Sequence, residues 1–394
     1  MTDFLRRTWA QIDLCALRHN LAEIRALLRE DCMLLGVVKA DAYGHGDRWC
    51  AREMEACGVN WFGVSNLDEA LSLREAGIER PILIFGTTPP ELAGQLAKYN
   101  VTQTVFSPAY ALELQQSAKS LGVRVNVHIK IDTGMGRIGF DGFDPLCCAD
   151  EVERVYGYGS LRCEGIFTHF SAADDPASDG YTRAQFARFR EVCEELASRG
   201  VTFKIRHCCN SAGTLRFPEM HLDMVRPGLI LYGLLPDDCC GGKADLRPAM
   251  QLKTIVSMVK KVPAGRDISY GRMYTTKRET TIATVPIGYA DGYHRALSSK
   301  GTMLVRGQEV PVIGRVCMDQ LMLDVTGVEG VCAGDEVTVI GRDGACAVTV
   351  EQMAHSAGST FNYEIVCLIG KRVPRLYLRE GKACGVAQYV KSAR

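Results

Sequence analysis

Short apolar runs alternate with longer amphipathic stretches from the N-terminus to about residue 240. The runs fall at 33–38, 61–64 (WFGV), 82–85 (ILIF), 101–106, 125–131 (VNVHIKI), 164–168 (EGIFT), 203–206 and 222–225. They are too short for helices and have the length of buried strands. Between them, apolar residues recur three and four positions apart, as in 66–76 (NLDEALSLREA), 108–120 and 182–199, which predicts amphipathic helices. Eight strands separated by helix-length segments is the count of a (β/α)8, TIM-like barrel. An open doubly wound sheet is the competing arrangement.

The pattern changes after a stretch rich in Pro, Gly and Asp at 236–248 (PDDCCGGKADLRP). Beyond it, runs at 252–262, 280–287, 302–305, 309–316, 320–325 and 336–341 read as strands with turn residues between them, and one helix is expected near 350–357. The expected organisation is therefore a barrel domain over 1–240 and a mainly-β domain, a small barrel or sandwich, over 241–394. A length of 394 residues suits two domains.

The 46 basic and 46 acidic residues cancel, so no global field recruits nucleic acid or an anionic membrane. No apolar run approaches membrane-spanning length, and MTDFLRRTWAQID lacks an apolar signal core. The 17 cysteines include no CxxC pair but three doublets, which suit neither a tetrahedral metal nor a disulfide framework. Free thiols in a reducing cytoplasm, with no metal site, are the expectation.

Candidate chemistry gathers at predicted strand ends. In VVKADAYGHG, Lys39 stands where the first strand opens into a loop, with Tyr43 four residues on. Lysine is rarely buried unless paired or chemically used. Desolvation can strip its proton, and a neutral amine can form a Schiff base with a carbonyl. A lysine that merely snorkels from a strand end fits this segment equally well. Lys130, Asp132 and Arg137 lie in IKIDTGMGRIGF at and after the fifth strand, and His169 follows the sixth. Asn210 and Ser211 follow the seventh in HCCNSAG; Arg226 and Gly228 follow the eighth in MVRPGLILYG. In an eight-stranded barrel these ends converge on one rim. Small residues in NSAG and RPGLI leave backbone N–H groups free to cradle a phosphate. A reactive lysine and a phosphate cradle on one rim suggest pyridoxal 5′-phosphate. The β half adds Tyr270, Tyr289, Met318, Asp319 and Tyr363, where tyrosines in a strand pattern ordinarily pack as half-buried residues.

VVKADAYGHG, IKIDTGMGRIGF, NSAG, MVRPG, SYG, GYADG, CMDQ and YEIVC, in this order, resemble the alanine racemase family across essentially the whole chain. The resemblance implies a pyridoxal phosphate-dependent homodimer with shared active sites, acting on a small amino acid to supply D-alanine for peptidoglycan. It implies that Lys39 carries the cofactor and is one catalytic base. Tyr270, reaching in from the partner subunit, is then the other. Tyrosine's ordinary pKa of about 10 is high for a base, so its phenolate needs nearby cations or hydrogen bonds. Arg226 would face the pyridine nitrogen and, unable to give up a proton, leave it unprotonated. His169 would hold Arg226. Tyr43, Ser211, Gly228, Leu229 and Tyr363 match phosphate-binding positions, with Asn210 beside them. Arg137 matches the residue that grips the substrate carboxylate, with Met318 contributing from the partner. Lys130 falls where family members can carry a carbamylated lysine. The Cys208–Cys209 doublet stands where the family more usually has small residues.

Serine or broad-specificity racemases are the alternative within the family, and a pocket narrowed by Tyr363 and Met318 favours alanine. A decarboxylase of the same barrel architecture would place an acid, not Arg226, at the ring nitrogen. A non-catalytic pyridoxal phosphate-binding barrel would lack the β domain.

Overall fold

The computed structural model describes residues 4–359 and 361–390. The chain divides into two compact units. One comprises Leu17–Ala42 and Asp47–Arg247; the other takes in the segment up to Ala16, Tyr43–Gly46 and the chain from Pro248 onward.

The first unit is the barrel. Its eight main strands are all parallel, in the spatial order Met224–Val225, Met33–Val37, Trp61–Val64, Ile82–Ile84, Val101–Val105, Val125–Asp132, Leu161–Phe167 and Ile205–His207. Asp223 N–H to Arg206 O at 3.1 Å and Arg226 N–H to Cys209 O at 2.9 Å bridge the two outermost strands and nearly close the cylinder. Parallel strands are covered on both faces, and Trp61–Val64 and Val101–Val105 are buried at every position. Helices start where a polar side chain can cap them: Asn66 accepts from Glu69 N–H, Ser107 from Tyr110 N–H and Asp144 from Cys147 N–H. Pro108 and Pro145 follow at the first helical turn, where a missing N–H costs nothing.

The second unit is built on one eleven-stranded sheet among the described residues. A boundary near 240 does not by itself separate the units, because Thr8–Asp13 belongs to this sheet. It pairs antiparallel with Met250–Ile255 and parallel with Arg375–Arg379. TWAQID carries little apolar periodicity, and its strand state comes from those two distant partners. The apolar run 252–262 is two strands, Met250–Ile255 and Met258–Val262, because each half pairs with a different neighbour, Glu336–Asp343 and Thr280–Val285.

Candidate functional site

Lys39 lies two residues beyond the first barrel strand, half-buried, and opens a turn of unusual conformation. Ala40, Asp41, Ala42 and Tyr43 have φ of 53°, 54°, 54° and 53°. A left-handed turn of non-glycine residues costs about 1–2 kcal/mol per residue, so the surroundings must hold it. In the barrel unit, Ala40 N–H donates to Glu69 Oε1 at 2.8 Å, Ala42 N–H to Val38 O at 2.9 Å and Asp47 N–H to Asp41 Oδ1 at 3.0 Å. Strain of this kind concentrates at functional sites.

After the fifth strand, Asp132 Oδ1 accepts the N–H groups of Gly134, Met135 and Gly136 at 2.9, 2.9 and 3.1 Å, shaping the loop that carries Arg137. Arg137 itself is exposed. Lys130 is buried and donates to Ile138 O at 2.5 Å. Burial lowers its pKa to about 8, against the opposing pull of Asp132 and with help from Arg137 and Arg226.

Arg226 is 3% exposed. Its Nη1 donates to His207 Nδ1 at 2.8 Å; its Nη2 donates to Thr168 O, His169 Nδ1 and Cys208 O at 2.9, 3.1 and 3.0 Å. Nε takes part in none of these bonds. Burial lowers Arg226 to about 10, with the Cys208 and Cys209 thiols opposing the shift. His169 is held neutral well below its ordinary range by burial and then by Arg226, Arg137, Lys130 and Lys39. Four cations thus act on one imidazole, Arg226 in direct contact.

Asn210 caps the helix Ser211–Arg216 through Oδ1, 2.9 Å from Gly213 N. Ser211 Oγ accepts Gly228 N–H at 2.9 Å, so its own O–H remains a donor. Leu229 begins the short turn Leu229–Tyr232 and is buried. The Cys208 and Cys209 thiols are both buried and donate to Met220 O. Their backbones hold Arg226.

In the second unit, Tyr363 sits on a short helix, Asn362–Cys367. Its ring lies 6.3 Å from that of Tyr43. Burial, then the neighbouring Tyr363 and Cys367, push the Tyr43 phenol above its usual range, so it stays protonated. Tyr270 and Tyr289 each begin a short 3-10 turn, at Tyr270–Arg272 and Tyr289–Asp291. Tyr270 is 69% exposed and Met318 52%. The Met318 segment is fixed by Tyr289 N–H to Cys317 O at 3.0 Å and Ala290 N–H to Met318 O at 3.1 Å.

The sequence reading paired His169 with Arg226, and the structure places them in contact. It missed His207, the closest side chain to Arg226, and Tyr232, whose hydroxyl donates to Val37 O at 2.9 Å. An imidazole next to a predicted buried strand, in IRHCCN, was the available signal.

A nearly closed parallel barrel with a lysine on a strained strand end, and four cations around a neutral histidine, belongs to the class of two-domain barrel enzymes. Comparison with known proteins gives the family. Residues 12–236 match the alanine racemase N-terminal domain and residues 249–377 the alanine racemase C-terminal domain. Alanine racemase of Desulfovibrio desulfuricans is 48% identical over 96% of this chain and 100% of its own length; that of Desulforamulus reducens is 47% identical over 94% and 98%. Alanine racemase of Clostridium difficile superposes with a TM-score of 0.94 at 39% identity, covering 99% of this chain and 100% of its own. That of Bacillus anthracis, with bound L-Ala-P, superposes with a TM-score of 0.93 at 38% identity, over 98% and 99%. This chain belongs to the alanine racemase family.

Proposed function

We propose that this chain interconverts L-alanine and D-alanine with pyridoxal 5′-phosphate held on Lys39. In this reading it works as a cytoplasmic homodimer that supplies D-alanine for peptidoglycan. The observation that carries the reading is the set of four cations around His169, joined to an Arg226 whose Nη atoms are already occupied. That donor set fits an anionic cofactor. The Ser211 hydroxyl, oriented by the Gly228 N–H that it accepts, with Leu229, the protonated Tyr43 phenol and Tyr363 would hold the phosphate at the Gly228 turn, with Asn210 shaping that turn. Arg226 Nε is left to donate to the pyridine nitrogen. The bound L-Ala-P of the Bacillus anthracis relative points to the same substrate class.

When bound, pyridoxal phosphate supplies an electron sink that acidifies the substrate α proton. Lys39 Nζ and Tyr270 Oη then take and return that proton on opposite faces, so the substrate need not rotate. A guanidinium cannot pass its proton to the ring, which weakens the sink and favours return of the proton to Cα. Arg137 would grip the substrate carboxylate, and Met318 would narrow the side-chain pocket. Lys130, with its lowered pKa, is chemically suited to add CO2 as a carbamate and so brace Arg137. The exposure of Tyr270 and Met318 supports their belonging to the partner subunit's active site, with 1–240 holding the cofactor and 241–394 reaching across.

The test is absorbance and turnover together. The purified protein with pyridoxal phosphate is expected to absorb near ~420 nm, as a lysine-bound pyridoxal does, and Lys39→Ala to lose that band. Racemisation of L-Ala, L-Ser, L-Lys and L-Arg, compared by kcat/KM, should favour alanine. A protein that takes up no pyridoxal phosphate refutes the cofactor; a preference for serine or a basic amino acid refutes the substrate.

A further inference from the structure

Among the described residues, Arg226 has no carboxylate hydrogen-bond partner. Behind it, inside the barrel, lies a chain of ring nitrogens whose polarity is forced. A guanidinium only donates, so His207 Nδ1, 2.8 Å from Nη1, must accept and carry no proton. A neutral His207 then holds its proton on Nε2, which lies 2.9 Å from His128 Nδ1. His128 must accept in turn and hold its own proton on Nε2. That nitrogen is buried, has no hydrogen-bond partner, and faces Glu164 Oε1 at 4.0 Å. Glu164 Oε1 also accepts Thr102 Oγ1–H at 2.9 Å.

The packing around these rings confines them. Phe167 stacks on His207 at 4.7 Å with planes 7° apart, and Trp61 lies 5.1 Å from His128. A Cβ on Gly165 would fall 2.5 Å from the His128 ring. Glycine is therefore required for the imidazole to lie against the neighbouring strand.

We propose that His207 and His128, backed by Glu164, form a one-directional hydrogen-bond relay that orients and polarises Arg226 from inside the barrel. They are positioning residues: none reaches the substrate, and the significance of the relay rests on the reading that Arg226 faces the cofactor ring. Protonating either histidine would set N–H against N–H or place a second cation beside Arg226. The surroundings agree, since burial first and Arg226 second hold both imidazoles far below their ordinary range. Facing the relay are Arg226 at one end and Glu164 at the other, with Arg162 and Lys204 near Glu164. His169 shares the guanidinium.

The test uses the purified protein labelled with 15N in its histidine rings, before and after pyridoxal phosphate is added. His207 and His128 are expected to appear as neutral Nε2–H tautomers from about pH 5 to 9. Either ring protonated in that range, or carrying its proton on Nδ1, overturns the proposal. His128→Phe removes the acceptor; His128→Gln restores one through its amide oxygen. With the cofactor loaded, His128→Phe should lower kcat roughly tenfold, a loss of about 1.4 kcal/mol in the barrier, with KM for alanine unchanged. It should also give the bound cofactor a pH-dependent absorbance that the parent lacks, and His128→Gln should recover most of both. A variant that only melts earlier, with parental pH profile and absorbance, refutes the relay. Failure of pyridoxal phosphate to bind at all would refute the functional reading and leave the tautomer result standing.

Discussion

Arg226→Lys keeps a cation inside the barrel and removes the fork that organises it. Four acceptors surround the guanidinium: His207 Nδ1, Thr168 O, His169 Nδ1 and Cys208 O. An ammonium is a single point with three donors and cannot span positions set by two Nη atoms. At least two acceptors are left buried and unmet, at about 1–3 kcal/mol each, and the expected loss is roughly 2–6 kcal/mol. For a unit of this size that is a fall in Tm of about 5–15 °C. The loss also depends on pH. Burial lowers Arg226 from 12.5 to about 10, so it stays charged at neutral pH. The same burial acting on an ammonium whose ordinary value is about 10.4 brings it to ~8. Between ~8 and ~10 the unfolded variant holds a proton that the folded variant has released, so its stability rises with pH across that window. The deficit is therefore greatest below about pH 8 and narrows above it. Urea unfolding of parent and variant at pH 7, 8 and 9 measures this directly. A deficit below about 1 kcal/mol, or one equal at pH 7 and 9, would show that neither the fork nor the burial acts as described.

Further outcomes follow from the same geometry. Lys130, lowered to about 8 by burial, should take up 13C-labelled CO2 as a carbamate more fully as pH rises from about 7 to 9, because only the neutral amine reacts; Lys130→Arg should abolish the carbon signal. Without CO2, the lowered value makes folding more favourable as pH climbs from about 8 toward the unfolded lysine value of about 10.4, which denaturant midpoints will register. Gly288→Ala places a Cβ 2.3 Å from Cys317 O and 2.4 Å from Met318 O. It should cost about 1–3 kcal/mol and raise KM for alanine by displacing Met318; an unchanged melting curve refutes the close approach. Tyr270→Ala, at an exposed position, should leave stability and pyridoxal phosphate absorbance intact while removing racemisation, and a variant as active as the parent excludes Tyr270 as a base.

The barrel was legible because its signal is local. Runs such as WFGV and VNVHIKI are continuous apolar segments, as expected of strands covered on both faces, and helix 108–120 was bounded by its capping serine and proline. The rim residues were legible for the same reason, since each follows a recognisable strand. His128 and His207 were not, because an imidazole in an apolar strand reads as an isolated polar residue until its partner is known. These two lie 79 positions apart in the chain.

The sequence by itself therefore determined the eight-strand repeat, the mainly-β half and the family, all properties carried by short contiguous motifs. The tertiary structure decided what depends on pairing between distant segments. It put Thr8–Asp13 into the second unit's sheet and split 252–262 between two partners. It set Tyr270, Tyr289 and Tyr363 on short helical turns, and gave Arg226 a buried chain of two imidazoles besides His169. The physical reason is common to all four: strand registry and the polarity of a buried donor chain are fixed by which groups meet in space, and no residue carries that information alone.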